Sequence, residues 1–378
     1  MRLDNNQQAF FALMRAGLWE QNVRLAQYDK IDFSIVYQLA EEQSVLGLVA
    51  AGLEHVTDIN IPQQWALQFA GQAIQIEQRN KAMNAFLAQL IKKLRDEDIY
   101  TLLVKGQGVA LCYERPLWRA CGDVDLYLSI DNYEKAKSLL LPLAQYVEDE
   151  DKEMLHLGMT INGWMVELHG AMHSKFSRRI NRVADEVHRD LFYNGNVRSW
   201  NDNGIQVFLP GINNDVIIIF NHFINHFYGE GVGFRQICDW CRLMRKYYSQ
   251  IDKVLLEKRL KTMGLMPEWK AFAALAVDTL GIPDEAMLLY DNKSRWQKKG
   301  CRIVELILES GNFGHAVDKS YKYKYSTLRR AFAAFNYHTA VALKRFFIFP
   351  YYSFFGWKNL IHLGVISNFK KLKNGAQG

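Results

Sequence analysis

Asp123 and Asp125 are separated by Val124 and followed by Leu126-Tyr127-Leu128, and these apolar neighbours place the Asp-x-Asp pair on a β-strand. Carboxylates two apart on a strand point to the same face. They repel each other unless a cation lies between them, and hard dications such as Mg²⁺ or Mn²⁺ take oxygen ligands of this kind. The chemistry such a pair performs is metal-assisted work beside a phosphate. The competing reading is a solvated acidic turn bent by Gly122.

Three neighbours favour the strand reading. The apolar run from Ile99 to Val104 ends in Lys105-Gly106 and opens a short helical segment, Gln107 to Tyr113, whose free backbone N–H groups face where an anion would sit. Arg119 adds a cation just ahead of the carboxylates. Downstream, His156 to Ile161 and Trp164 to His169 flank Asn162-Gly163, and an Asn-Gly pair between two apolar runs is a strong hairpin signal. On the second of those strands Glu167 and His169 again share a face. A third carboxylate on a strand beside the Asp-x-Asp strand would complete a two-metal site.

The succession Lys-Gly, Tyr113, Arg119, Gly-Asp-Val-Asp-Leu and Val-Glu-Leu-His resembles the nucleotidyltransferase superfamily typified by DNA polymerase β. Within it, the chain is similar to a bacterial branch described only as uncharacterised nucleotidyltransferases. The segment from Tyr37 to Val49 is similar to that branch's N-terminal helical segment, and His222 to His226 with Arg235 to Trp240 is similar to a later one. The resemblance implies that Gly106 is the turn that holds a triphosphate, with Lys105, Gln107, Arg119 and Arg235 around the nucleotide. It implies that Asp123 and Asp125 bind both metals, and that Glu167 ligates one of them and activates the attacking hydroxyl. Two departures are plain. Gln107 stands where the superfamily usually has serine, and the gap from the glycine to the first aspartate is longer than usual.

The implied activity is an Mg²⁺-dependent (or Mn²⁺-dependent) transfer of a nucleoside monophosphate from an NTP to a hydroxyl on a small molecule, sugar, protein or RNA. Two metals would stabilise the attacking and leaving oxygens of an in-line displacement, leaving the protein to supply ligands and alignment. The alternative is a catalytically silent relative that serves as a nucleotide-binding or membrane-peripheral module. His169 either orients a metal-binding carboxylate or is an ordinary hydrogen-bonded strand histidine. His222 and His226 share one helix face. They are core or interface histidines, contacts to substrate or nucleotide, or ligands of a transition metal; no glutamate follows His222, so a zinc-protease reading fails. Arg235 and Asp239 lie one helical turn apart and either pair with each other or, by the resemblance, face the cleft.

The elements that must position these residues read as an α+β fold, a nucleotidyltransferase-type mixed sheet flanked by helices with N-terminal and C-terminal helical subdomains. Residues 1–95 carry apolar residues at helical spacing, as at Ile76, Met83, Leu87, Leu90 and Leu94. Residues 96–210 carry the strands, including Ile205 to Leu209 after Asp202-Asn203-Gly204, and a helix from Tyr133 to Leu141; this is the expected catalytic domain. Residues 211–310 return to helices.

At 378 residues with 49% hydrophobic content, the chain can bury a sizeable core. Its five cysteines are irregularly spaced, and Cys238-x-x-Cys241 has no second pair, which favours buried thiols over a zinc site. The N-terminus lacks a signal peptide's apolar core, so a cytoplasmic location is expected. The last segment, 311–378, differs in kind. From Ala316 onward eleven Lys and Arg face one acid, a net of +10 against +6 for the whole chain, so the basic excess sits entirely there. It is also aromatic from Phe346 to Trp357. Such a segment packs on the body as a helical hairpin, meets an anionic membrane surface, binds nucleic acid, or spans a bilayer through its apolar run from Phe346 to Ile366.

Overall fold

The computed structural model describes residues 3–175, 177–229, 231–311 and 339–358. The N-terminal part is helical: α1 (Asn5–Trp19), α2 (Phe33–Glu42), α3 (Leu46–Leu53) and the long α4 (Gln63–Asp96). Asp4 and Gln7 close a capping box at the start of α1. The strands follow, interleaved with helices: β1 (Thr101–Val104), α5 (Gly106–Ala110), β2 (Asp123–Leu128), α6 (Ile130–Leu140), β3 (Tyr146–Val147), β4 (His156–Ile161), β5 (Trp164–His169), α7 (Arg178–Phe192), β6 (Val197–Asp202) and β7 (Ile205–Pro210). Helices then return as α8 (Ile212–Tyr228), α9 (Phe234–Tyr247), α10 (Lys253–Met263), α11 (Met266–Asp278) and α12 (Ser294–Ser310).

The seven strands form one mixed sheet in the order β3-β4-β5-β2-β1-β7-β6. The β2/β5 and β1/β7 pairs are parallel and the others antiparallel. A mixed sheet flanked by helices is the fold expected of the sequence. Two hairpins carry Asn-Gly turns with both residues at positive φ, Asn162 (51°) and Gly163 (78°), then Asn203 (50°) and Gly204 (79°). That is the backbone a two-residue hairpin requires. The first gives β4 and β5 at the positions the sequence suggests. The second joins β7 to β6, a strand with no clear sequence signal, because Val197 to Asn201 alternates exposed and half-buried residues on a sheet edge and carries few apolar side chains.

Strand alternation sorts the side chains. Val124, Leu126 and Leu128 of β2, Val166 and Leu168 of β5, and Leu157, Met159 and Ile161 of β4 all enter one core with Met83, Leu87, Leu90 and Leu94 of α4. The intervening residues face the other way, toward α7, α8 and α9, where Tyr127, Phe220, Phe223 and Trp240 belong to the larger core. Asp123, Asp125 and Glu167 lie on this second face. The helix expected from Gln107 to Tyr113 is shorter than its sequence suggests, since after Ala110 the chain tightens into three-residue turns, Cys112 N–H donating to Val109 and Tyr113 N–H to Ala110.

Cys238 and Cys241 are fully buried on α9, as the sequence suggests. Much of the basic C-terminal segment lies outside the described residues, including its lysines and arginines at 319, 322, 324, 329, 330, 370, 371 and 373 and the apolar run beyond 358. Within it, residues 339–346 and 350–358 are helical. Phe349 and Tyr352 are buried against Phe227 and Tyr228 of α8, with ring centroids 6.1 Å and 5.9 Å apart. Among the described residues, no helix is long and apolar enough to cross a membrane.

Candidate functional site

The site is a transverse row across the sheet. Val104 of β1 pairs with Asp125 of β2, Asp125 with Glu167 of β5, and Glu167 with Gly158 of β4. Paired residues share a face, so this register brings Asp125 and Glu167 side by side, with Asp123 one step along the same face. The ligand oxygens of Asp123, Asp125 and Glu167 all lie within 4.8 Å of one another. Asp125 forms the floor at 2% exposure, while the Glu167 side chain is 24% exposed at the rim.

Lys105 reaches the cluster from the end of β1. Its φ of 58° is unusual for a residue with a side chain, and Gly106 follows at 35°. Strain of this kind persists where the surroundings enforce it and is common at functional sites. The turn delivers Lys105 Nζ to within 2.5 Å of Asp125 Oδ1. Burial alone would depress the ammonium, but the charges of Asp125, Glu167 and Asp123 outweigh it and raise its pKa.

The carboxylates respond to one another. Asp125, together with burial, pushes the Asp123 carboxyl up to about 6, against the partial relief supplied by Lys105. Glu167 moves the other way: burial opposes its charge, but hydrogen bonds from His156 and His169 and the charge of Lys105 hold it well below the usual range. His169 Nε2 lies 2.8 Å from Asp125 Oδ1 and 3.4 Å from Glu167 Oε2. Burial and Lys105 push this imidazole down, yet Asp125 and Glu167 prevail and raise it.

Helix α8 covers the same face. His222 and His226 stand on one side of it with ring centroids 4.5 Å apart. Burial first, and then the charge of Lys105, lowers both, His226 to about 4, so both are neutral near pH 7. They therefore lie within electrostatic reach of Lys105 and Glu167.

The arginines divide their work. Arg119 grips Asp239 with Nε at 3.1 Å and Nη2 at 2.6 Å, and Tyr113 donates to the same carboxylate at 2.8 Å. The spacing alone leaves open a pair between Arg235 and Asp239, but Asp239 is taken by these two residues. Arg235 Nη1 instead donates to the Ala120 carbonyl at 2.9 Å, which also accepts from Arg119 Nη1 at 3.1 Å. Burial and the nearby Arg119 lower the Arg235 guanidinium, and its charge in turn acts on Asp123. Gln107 is 3% exposed, and neither polar atom of its side chain has a partner among the described residues.

Two residues of this face carry no motif of their own in the sequence. His156 pairs with His169 across the hairpin and lies 3.3 Å from Glu167 Oε2. The two-residue turn at Asn162-Gly163 already dictates that register, so counting outward from it locates His156. Glu148 donates its backbone N–H to the Gly158 carbonyl at 2.9 Å, and its carboxylate occupies the space a side chain at Gly158 would need. Its place follows from the lateral pairing of β3, which no local motif announces.

A family model described as "Uncharacterised nucleotidyltransferase" matches residues 29–281, more than half of the chain and every residue of the site. No curated protein and no solved structure matches the chain.

Proposed function

The chain thus belongs to this family of uncharacterised nucleotidyltransferases, and on that premise we propose that it moves a nucleoside monophosphate from an NTP to a hydroxyl acceptor at Asp123, Asp125 and Glu167. The observation that carries the reading is the convergence of these carboxylates on one sheet face, with Asp123 forced up to about 6 chiefly by the charge of Asp125. An all-oxygen donor set with surplus negative charge fits Mg²⁺ or Mn²⁺. Asp123, Asp125 and Glu167 would hold the ions, which when bound supply charge stabilisation to the attacking and leaving oxygens.

The protein's own groups do the positioning. Asp125 is fixed from below by Lys105 and His169, and Glu167 by His156 and His169. Lys105 sits on the strained glycine turn at the edge of the cluster, where its ammonium can serve the triphosphate once a dication shares the acids. Arg235 is the second cation assigned to the nucleotide. Arg119 is a positioning residue in this scheme: its pair with Asp239 holds the Ala120 carbonyl that Arg235 also uses. Gly106 and Gln107 line the approach of the phosphates, and the neutral His222 and His226 offer hydrogen bonds to nucleotide or acceptor. The acceptor is a hydroxyl of a small molecule, a sugar, a protein or an RNA.

Gln107 in the usual place of serine, with its amide unpartnered, favours a second reading, a catalytically silent nucleotide-binding relative. Incubation with each labelled NTP, Mg²⁺ and a cell lysate separates the two. Transfer of label by the natural protein, lost in Asp123→Asn with Asp125→Asn, supports catalysis. Absence of transfer, or transfer undiminished in the double variant, overturns it.

A further inference from the structure

We propose that His156, Glu167 and His169 form a nitrogen-bearing metal position, so that one cation of this site is a transition-metal dication held in preference to Mg²⁺. The inference rests on reading the acids as cation ligands and adds to it the kind of metal and two imidazole donors.

Distances carry the argument. His156 Nε2 lies 3.3 Å and His169 Nε2 3.4 Å from the same oxygen, Glu167 Oε2. Charge-assisted hydrogen bonds between such groups are about 2.7–2.9 Å. Neighbouring ligands on a common metal, with bonds of about 2.1 Å at right to tetrahedral angles, are instead about 3.0–3.4 Å apart. In the metal-free chain His169 Nε2 lies 2.8 Å from Asp125 Oδ1; to ligate an ion it would release its Nε2 proton to solvent and present the lone pair. Without a metal these contacts hold Glu167 as hydrogen bonds; with an ion bound, the same spacing suits neighbouring ligand atoms. All three ligand atoms lie within 4.8 Å of one another, and the two imidazole rings are 4.8 Å apart at 34°.

Access suits an exchangeable ion. His156 is 34% exposed and Glu167 24%, while His169 is only 10% exposed, so the set opens to solvent on one side and is anchored on the other. Imidazole donors favour Fe²⁺, Ni²⁺, Cu²⁺ or Zn²⁺ over Mg²⁺, which prefers oxygen and water; Mn²⁺, though better suited to oxygen, exceeds Mg²⁺ in tolerance of nitrogen and serves as the spectroscopic probe. The hairpin register that pairs His156 with His169 is what adds nitrogen to an otherwise carboxylate site.

The test uses the metal-stripped full-length chain titrated with Mn²⁺, with Mg²⁺ as competitor, followed by EPR of free and bound Mn²⁺. The natural protein is expected to show imidazole nitrogen coupling in the pulsed spectrum. His156→Gln and His156→Asn are each expected to weaken Mn²⁺ binding about 10- to 100-fold and to reduce that coupling, while Mg²⁺ binding stays within about twofold. Bound Mn²⁺ without nitrogen coupling in the natural protein, or equal Mn²⁺ affinity in natural protein and both variants, overturns the proposal. The nitrogen signal of the natural protein decides even if a variant fails to fold. If the signal is present but no NTP label is ever transferred, the metal site stands and nucleotidyl transfer falls. Label transfer without the nitrogen signal leaves nucleotidyl transfer standing and removes the imidazole-bearing metal position.

Discussion

Asp123 reports the state of the whole cluster. Its carboxyl is raised from an ordinary 3.8 to about 6, principally by Asp125. In the fold its protonated form is favoured, so its contribution to stability is complete below pH 3.8 and is lost as pH rises through about 6. Metal binding, which needs the carboxylate, should strengthen over the same interval. Asp123→Asn should therefore stabilise the chelated protein at pH 7 by about 1–2 kcal/mol and abolish the rise in Tm expected of the natural chain on adding Mg²⁺ or Mn²⁺. Thermal melts with chelator and with metal check both parts; a variant less stable than the natural protein in chelator would show that Asp125 does not strain Asp123. Asp125→Asn, at the floor of the cluster, should lower transfer by about 10³-fold or more while the circular dichroism spectrum is preserved. The aspartates, Glu167 and Lys105 are legible one by one, because each falls in a short motif. His156 and Glu148 are not, because their relevance comes only from pairing with a neighbouring strand.

Register turns separate motifs into one site. The Asn162-Gly163 turn places β4 and β5, and the parallel pairing of β2 with β5 puts Asp125 opposite Glu167. The hairpin is readable from its Asn-Gly signal and flanking apolar runs, whereas the parallel pairing depends on the crossover through α6, β3 and β4, a long-range choice that no local window contains. The same alternation buries Leu126 and Leu168 completely against the α4 side, so the carboxylate face is held in place from behind. Leu126→Ala should cost about 2–5 kcal/mol, read from denaturant midpoints. Gly163, at φ 78°, should tolerate alanine poorly, losing about 1 kcal/mol or more, although open space surrounds it. A neutral Gly163→Ala would mean that the turn backbone is not what sets the register.

Across the whole molecule, the sheet and the later helices are joined through buried polar bonds as well as apolar packing. Arg119, in the loop before β2, and Asp239, on α9, are both nearly inaccessible and share two hydrogen bonds, with Tyr113 as a third member. Removing one partner of such a pair leaves a buried charge, so Arg119→Ala should destabilise by about 3–5 kcal/mol, measured by chemical unfolding. If Arg119 were chiefly a nucleotide ligand, the same variant would keep its stability and raise the KM for NTP instead. The described part of the C-terminal segment also joins the body, through Phe349 and Tyr352 on α8 and through Lys344 to Glu309 at 2.5 Å. The α+β class is readable from the order of strand and helix patterns; the pairing of Arg119 with Asp239 is not, since it links residues far apart in the chain. Nucleotidyl transfer at Asp123, Asp125 and Glu167 would attack the α-phosphate of an NTP. The most direct measurement compares NTP labelled on the α-phosphate with NTP labelled on the γ-phosphate, in the presence of Mg²⁺ or Mn²⁺ and a lysate as acceptor source. Only the α-label should enter the acceptor, the γ-label leaving as pyrophosphate, and Asp125→Asn should abolish the transfer; entry of the γ-label, or of neither label, would rule out nucleotidyl transfer at this site.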